Sequence, residues 1–171
     1  MAKPKEDVED IIKRAVEAGR ISAERTARDA FKATEKRLYA LPILRLKATE
    51  DRERLQELRE YGPRGKSKSI VRFQKQGVRL SPDEILGTIL LDMEATIAAD
   101  EYEVEILERA LSRVAHDAYY PTITGRYVDD LTDEQVAAAI PCDTSTVWRN
   151  RKRLVQRIAV WLYGADAVRE P

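Results

Sequence analysis

From Leu86 to Val114 the chain keeps one helical face in step with a seven-residue repeat: Leu86, Leu90, Met93, Ile97, Asp100, Val104, Leu107, Leu111 and Val114. Steps alternating between four and three put these residues on one side of an α-helix, and a sustained heptad keeps that side turned toward a partner helix. Just upstream, Ser81-Pro82-Asp83-Glu84 supplies an N-cap, a proline at the first helical position and acids at the positive end of the helix. An earlier run, Leu41, Leu44, Ala48, Asp51, Leu55 and Leu58, has the same spacing and stops at Tyr61-Gly62-Pro63. Two such segments joined by a loop predict an all-α fold built on a long antiparallel coiled-coil hairpin over residues 41–115. Asp51 and Asp100 each bring a carboxylate into the seam, which costs stability unless it is paired or wet. They read as a hydrated layer that sets the register, because nothing nearby makes them a catalytic pair.

The loop at residues 62–80 is long for a compact domain, and loops of that length tend to be functional or disordered. It carries Arg64, Lys66, Lys68, Arg72, Lys75 and Arg79 and no acidic residue. A phosphate-contacting arm and a solvated tip are both open readings. Ile70 to Gln74 and Gly77 to Leu80 could pair as a short hairpin. Residues 1–40 form a segment of amphipathic helices: one holds Val8, Ile11, Ile12, Ala15 and Val16 and ends at Gly19, and a second runs from a Ser22 cap through Phe31 and Leu38. Pro42 then either kinks a helix or opens a new one.

A different pattern occupies Leu131 to Gly164 within a third segment, residues 116–164. Thr132 caps a short helix in which Val136, Ala137 and Ile140 share a face. Pro141-Cys142-Asp143 interrupts it, and Asp143 or Thr144 can start a new helix. That second helix sets Val147, Leu154, Ile158, Trp161 and Leu162 along one side. Arg149, Arg151, Lys152, Arg153 and Arg157 occupy the rest, with no acid between Thr144 and Gly164. A helix, a three-residue turn and a basic second helix meet the requirements of a helix-turn-helix, whose second helix lies in the DNA major groove. His116 to Tyr127 is expected to form a supporting helix, with Ile123 and Tyr127 packed on this unit and Tyr119 and Tyr120 at its core and rim. Gly125 weakens that helix by about 1 kcal/mol relative to Ala. The tail, residues 165–171, carries no signal.

The Leu-Thr-x-Glu-x-Val-Ala opening at Leu131, the Cys-Asp-x-Ser-Thr-Val turn at Cys142 and the Arg-x-Arg-Lys-Arg-Leu run at Arg149 resemble the C-terminal helix-turn-helix of bacterial sigma factors. More closely, they are similar to phage and prophage transcriptional regulators of the RinA and ArpU type. This likeness spans roughly Tyr119 to Gly164, and a looser one to coiled-coil phage regulators reaches back to about Ala33. The resemblance implies a regulator of phage or prophage genes, with control of late or packaging genes as the family expectation. One departure is Pro141, which stands where such turns usually carry Gly or Asn. Proline fixes φ near −65°, so this turn has to be built in another way.

In a helix-turn-helix the N-terminal part of the second helix reaches base edges. Thr144, Ser145, Thr146, Trp148 and Arg149 are therefore the first candidates, with Lys152 one turn beyond Arg149. Arg149 is the best candidate for a two-point contact with guanine, worth roughly 1–3 kcal/mol of discrimination. Arg151, Arg153 and Arg157 look placed for phosphates, and Asn150 could serve either role. Trp148 could instead cover the edge of the unit, and partial packing is the favoured reading.

The net charge of zero hides segregation: residues 82–130 carry twelve acids against three bases, which implies local fields. With 43% apolar and 35% charged residues, the 171-residue chain suits long solvated helices better than a large core. Cys142 and His116 are each the single residue of their type, so neither a disulfide framework nor a metal cluster is expected. Cys142 reads as a small buried turn residue. No cofactor and no enzymatic activity are expected, since the sequence holds no Gly-rich phosphate cradle and no nucleophile with a nearby base. A soluble, cytoplasmic chain is expected, with no membrane partner. The expected partners are double-stranded DNA, further copies of the chain through the long helices, and RNA polymerase. Two alternatives to a transcriptional regulator are a phage small terminase subunit, which would form a ring on packaging-site DNA, and an adaptor whose coiled coil binds another protein.

Overall fold

The computed structural model of the protein describes residues 29–62 and 81–167, and every regular element among them is helical. The N-terminal helix at Val8–Val16, the Ser22 cap, the basic loop and its two expected strands lie outside the described residues. No helix among the described residues is long and apolar enough to cross a membrane.

Helix α1 spans Ala30–Tyr61 and starts at Asp29, whose carboxylate accepts the Lys32 N–H at 3.1 Å. With φ −143° and ψ 85°, Asp29 is not helical, so the helix that carries Phe31 and Leu38 starts at Ala30. Pro42 lies inside α1. The segment boundary expected at residue 40 therefore falls within one helix. An interior proline costs about 3 kcal/mol because it lacks an N–H and crowds the carbonyl four residues back. Burial of Leu38 and Leu41 before it and of Ala48 after it offsets that cost.

Helix α2 spans Pro82–Ser112 and begins as its sequence predicts. The Ser81 hydroxyl accepts the Glu84 N–H at 3.3 Å, and the Glu84 carboxylate accepts the Ser81 N–H at 2.8 Å. Such a reciprocal pair satisfies two of the helix's orphan donors. The two long helices run antiparallel: Arg37 meets Glu103, Lys47 meets Asp100 and Arg59 meets Glu94. Arg45–Glu108 and Arg52–Glu101 extend the row. Much of the acidic block is thus answered by bases of α1 within the chain. Leu41, Ala48, Leu55, Ile97, Leu107, Leu111 and Val114 of the heptad runs are buried. Lys47 bridges the two seam carboxylates, at 3.0 Å from Asp51 and also bonded to Asp100, which together raise its pKa.

Beyond Ser112 the chain does not enter the long helix expected from His116. Arg113 and Val114 close on carbonyls three residues back, and Asp117 and Tyr120 do the same. The helix proper, α3, is limited to Pro121–Tyr127. The cause lies in Pro121, which has no N–H for the Asp117 carbonyl; Tyr120 N–H takes that acceptor instead, at 2.9 Å. Helices α4, Asp133–Ala139, and α5, Thr144–Tyr163, follow. Ile123 and Tyr127 of α3 join Leu154, Val155, Ile158 and Leu162 of α5 in a core with Leu38, Leu41, Leu107 and Leu111, and Tyr119 and Tyr120 pack at its edge. The tail holds more than its sequence suggests. A 3₁₀ turn at Ala165–Ala167 buries Ala167, whose carbonyl accepts from the Gln156 amide at 2.6 Å.

Candidate nucleic-acid interface

Helix α4 opens with a reciprocal cap of its own. The Gln135 N–H donates to the Thr132 hydroxyl at 3.3 Å, and the Gln135 side chain accepts the Thr132 N–H at 2.8 Å. Its apolar face, Val136 and Ala137, closes on Val147 of α5, with Leu131, Ile140 and Cys142 at the margin. Cys142 is half-buried here. Gly125 of α3 lies behind Val136, where an added Cβ would stand 2.7 Å from Val136 Cγ2. The glycine that weakens α3 as a helix is therefore what lets α3 and α4 approach.

The turn around Pro141 contains no residue with positive φ; among the described non-glycine residues only Asp130 has one. Ile140 leaves α4 at φ −116° and ψ 55°, and the Cys142 N–H reaches back to the Ala137 carbonyl at 3.2 Å. Asp143, rather than Thr144, is the cap of α5. Its carboxylate accepts from Ser145 Oγ at 2.5 Å and from Thr146 N and Oγ1, both at 2.8 Å. Those hydroxyls, with the Thr146 N–H, hold the Asp143 carboxyl far below the usual carboxylate range.

The candidate DNA-contacting residues separate into two sets. Thr144, Ser145, Trp148, Arg149 and Lys152 are exposed, with Arg149 and Lys152 on the side of α5 away from the core. Trp148 is 50% exposed, and the Lys152 ammonium sits 5.2 Å from its ring centroid. Among the described residues Arg149 donates to Thr146 Oγ1, at 3.3 Å. Neither Arg149 nor Lys152 has a carboxylate partner among the described residues.

The second set is engaged within the chain. Arg151 keeps 12% of its side chain exposed and pairs through both terminal nitrogens with Asp133. That contact holds the Asp133 carboxyl below its ordinary range and raises the pKa of Arg151. Arg153 grips Asp117 at 2.9 Å through each of two nitrogens, and Arg157 lies 3.7 Å from the same carboxylate. The Asn150 amide donates to the Thr146 carbonyl and accepts from Arg153. Thr146, half-buried, spends its hydroxyl on Asp143 and Arg149.

Sequence reasoning did not single out Asp117 or Asp133 as members of this site. Neither carries a local signal, because each acts on an arginine 18 or 36 positions further on. Trp161, expected on the inner face of α5, is instead 59% exposed beneath the Arg113 guanidinium, and Val155 and Ala159 take inner positions. The basic loop Arg64, Lys66, Lys68, Arg72, Lys75 and Arg79 lies outside the described residues and adds nothing to this geometry. Among the described residues no cluster of His, Cys, Asp or Glu could hold a metal ion. Comparison with protein-family models, curated proteins and solved structures gave no significant match to this chain.

Proposed function

We propose that the chain is a sequence-specific DNA-binding transcriptional regulator, in which α4, the Pro141 turn and α5 act as a helix-turn-helix. The observation that carries the reading is the outer side of α5. Arg149 and Lys152 stand exposed one turn apart beside Trp148, on a helix whose opposite side is buried and whose sequence contains no acid. A rigid helix with an unopposed cationic stripe suits the major groove, where arginine reads guanine through two hydrogen bonds. Arg153 and Arg157, more exposed than Arg151, supply phosphate contacts when they leave Asp117. The two long helices are read as an antiparallel coiled-coil hairpin that carries this unit at one end. Control of phage or prophage genes follows from the resemblance of the motif around Cys142 and Arg149, and belongs to the same proposal.

The test is titration of the full chain into short duplexes by fluorescence anisotropy at several salt concentrations. The expected result is binding that weakens steeply with salt, as counterion release requires, and that the Arg149→Ala/Lys152→Ala double variant abolishes at moderate salt. No binding at low salt, or equal binding by the double variant, would overturn the reading.

A further inference from the structure

The heptad faces of the two long helices close on each other within the chain, yet α2 carries a second apolar stripe on its other side. Glu84, Thr88, Leu91, Ala95, Ala98, Tyr102, Ile106, Arg109 and Arg113 follow one another at steps of three and four, away from the Ile97, Leu107 and Leu111 face that meets α1. The stripe has an acid at its first end, bases at its last and alanines at its middle. Leu91 is 59% exposed on it. Toward the other end lies an open cavity of about 170 Å³, lined by Tyr102, Ile106, Arg109, Arg113, Trp161 and Leu162.

We propose that this face of α2 docks a second copy of the chain, α2 against α2, antiparallel about a two-fold axis beside Ala98 and Ala99. That register is self-complementary. It sets Leu91 of the second copy against Ile106, at the mouth of the cavity, and Tyr102 of the second copy against Ala95. Glu84 of the second copy comes opposite Arg113, and each contact repeats across the axis, as an isologous interface requires. The alanines at the crossing point let the two backbones approach. Of the acids beside the stripe, Glu94 is answered by Arg59, Glu101 by Arg52 and Glu105 by Arg109, while Asp92 stays exposed at the margin. Glu84 uses one carboxylate oxygen on the Ser81 N–H and keeps the other for Arg113 of the second copy. The apolar and paired area runs about 44 Å along the helix at 1.5 Å per residue.

The surface is separate from the exposed side of α5, so its test needs no DNA. Sedimentation velocity on the full chain over a hundredfold range of concentration is expected to show a monomer–dimer equilibrium. Leu91→Asp alters an exposed side chain and leaves the circular dichroism unchanged; Glu84→Arg also removes the Ser81 cap, a cost to the helix start that Glu84→Gln, which keeps an acceptor for the Ser81 N–H but drops the charge, does not share. Each is expected to weaken dimerisation about tenfold or more, the scale of one leucine's burial. Arg113→Glu alone should do the same, and Glu84→Arg with Arg113→Glu should restore the dimer. A monomer at every concentration, a larger ring, or a dimer indifferent to Leu91→Asp and Glu84→Arg would overturn the proposal.

Discussion

The Arg151 guanidinium spans the angle between α4 and α5 and closes on the Asp133 carboxylate through both terminal nitrogens, with Nη2 3.0 Å from Oδ2. It sits two residues from Arg149 in a run of cations, yet the two do opposite work. Arg149 is exposed, whereas Arg151 joins the middle of one helix to the first turn of the other.

Removing each side chain is expected to separate the two roles. Arg151→Ala leaves the partly buried Asp133 carboxylate without its partner and should lower unfolding stability by about 1–3 kcal/mol. Arg151→Lys should recover little, because an ammonium cannot reproduce a planar two-point contact. Arg149→Ala, on the exposed side, should stay within about 0.5 kcal/mol of the parent. Urea unfolding followed by circular dichroism measures all three. Equal stability for Arg149→Ala and Arg151→Ala would show that the Asp133 pair does not brace the unit.

Gly125→Ala tests the approach of α3 to α4. As a helix residue, alanine is better than glycine by about 1 kcal/mol. At this site its Cβ would meet Val136 Cγ2 at 2.7 Å, and Val136 is itself buried. Overpacking of this kind costs about 1–3 kcal/mol, so the net change should be destabilising. Gly125→Ala combined with Val136→Ala should be more stable than the sum of the two single effects predicts, since each removes the other's problem. A Gly125→Ala variant more stable than the parent would mean that helix propensity outweighs packing at this contact.

The helices were legible wherever local chemistry decides the outcome. Ser81-Pro82-Asp83-Glu84, and Thr132 before Asp133 and Glu134, announce two helix starts within four residues of sequence, and both form. The heptad runs likewise name residues that are buried in the structure, among them Leu41, Leu55, Leu107 and Leu111. What sequence could not supply was the outcome of distant competition. Pro42 looked like an interruption, but tertiary burial of Leu38 and Leu41 carries the helix through it. Arg151, Arg153 and Arg157 looked alike in a basic run. Their difference comes from Asp133 and Asp117, which no spacing rule connects to them.

Acid titration should expose the same carboxylates. Hydrogen bonds from Arg153 hold Asp117 below the ordinary aspartate value, and those from Arg151 do so for Asp133. A carboxyl whose pKa falls on folding binds protons more weakly in the native state, so its stabilisation is present above the unfolded value near 4. It is lost as pH falls through the lower folded value. Stability should therefore change little between pH 7 and 5 on account of these groups and decline below about pH 4. Asp133→Asn should be less stable at pH 7 and show a shallower decline in acid, as read from urea midpoints at each pH. An undiminished acid decline in that variant would place the titrating groups elsewhere.

Asp117 makes a prediction in the opposite direction for DNA. Its carboxylate occupies Arg153 at two points and lies within reach of Arg157, so a phosphate must displace it to gain either cation. Asp117→Asn removes the charge but keeps the size, leaving both arginines available. Each added phosphate contact releases counterions and steepens the dependence of log K on log salt by about 0.9. The variant should bind duplexes more tightly at low salt, with a slope steeper by about one to two, whatever the duplex sequence. It should at the same time be less stable, by about 1–3 kcal/mol, because Asp117 is largely covered and braces Arg153. Tighter binding by a less stable protein cannot come from better folding; it comes from the released cations and from the loss of a negative charge beside the DNA. An unchanged affinity and salt slope would mean that Arg153 and Arg157 do not reach phosphates, and would confine the interface to Arg149, Lys152 and the first turn of α5.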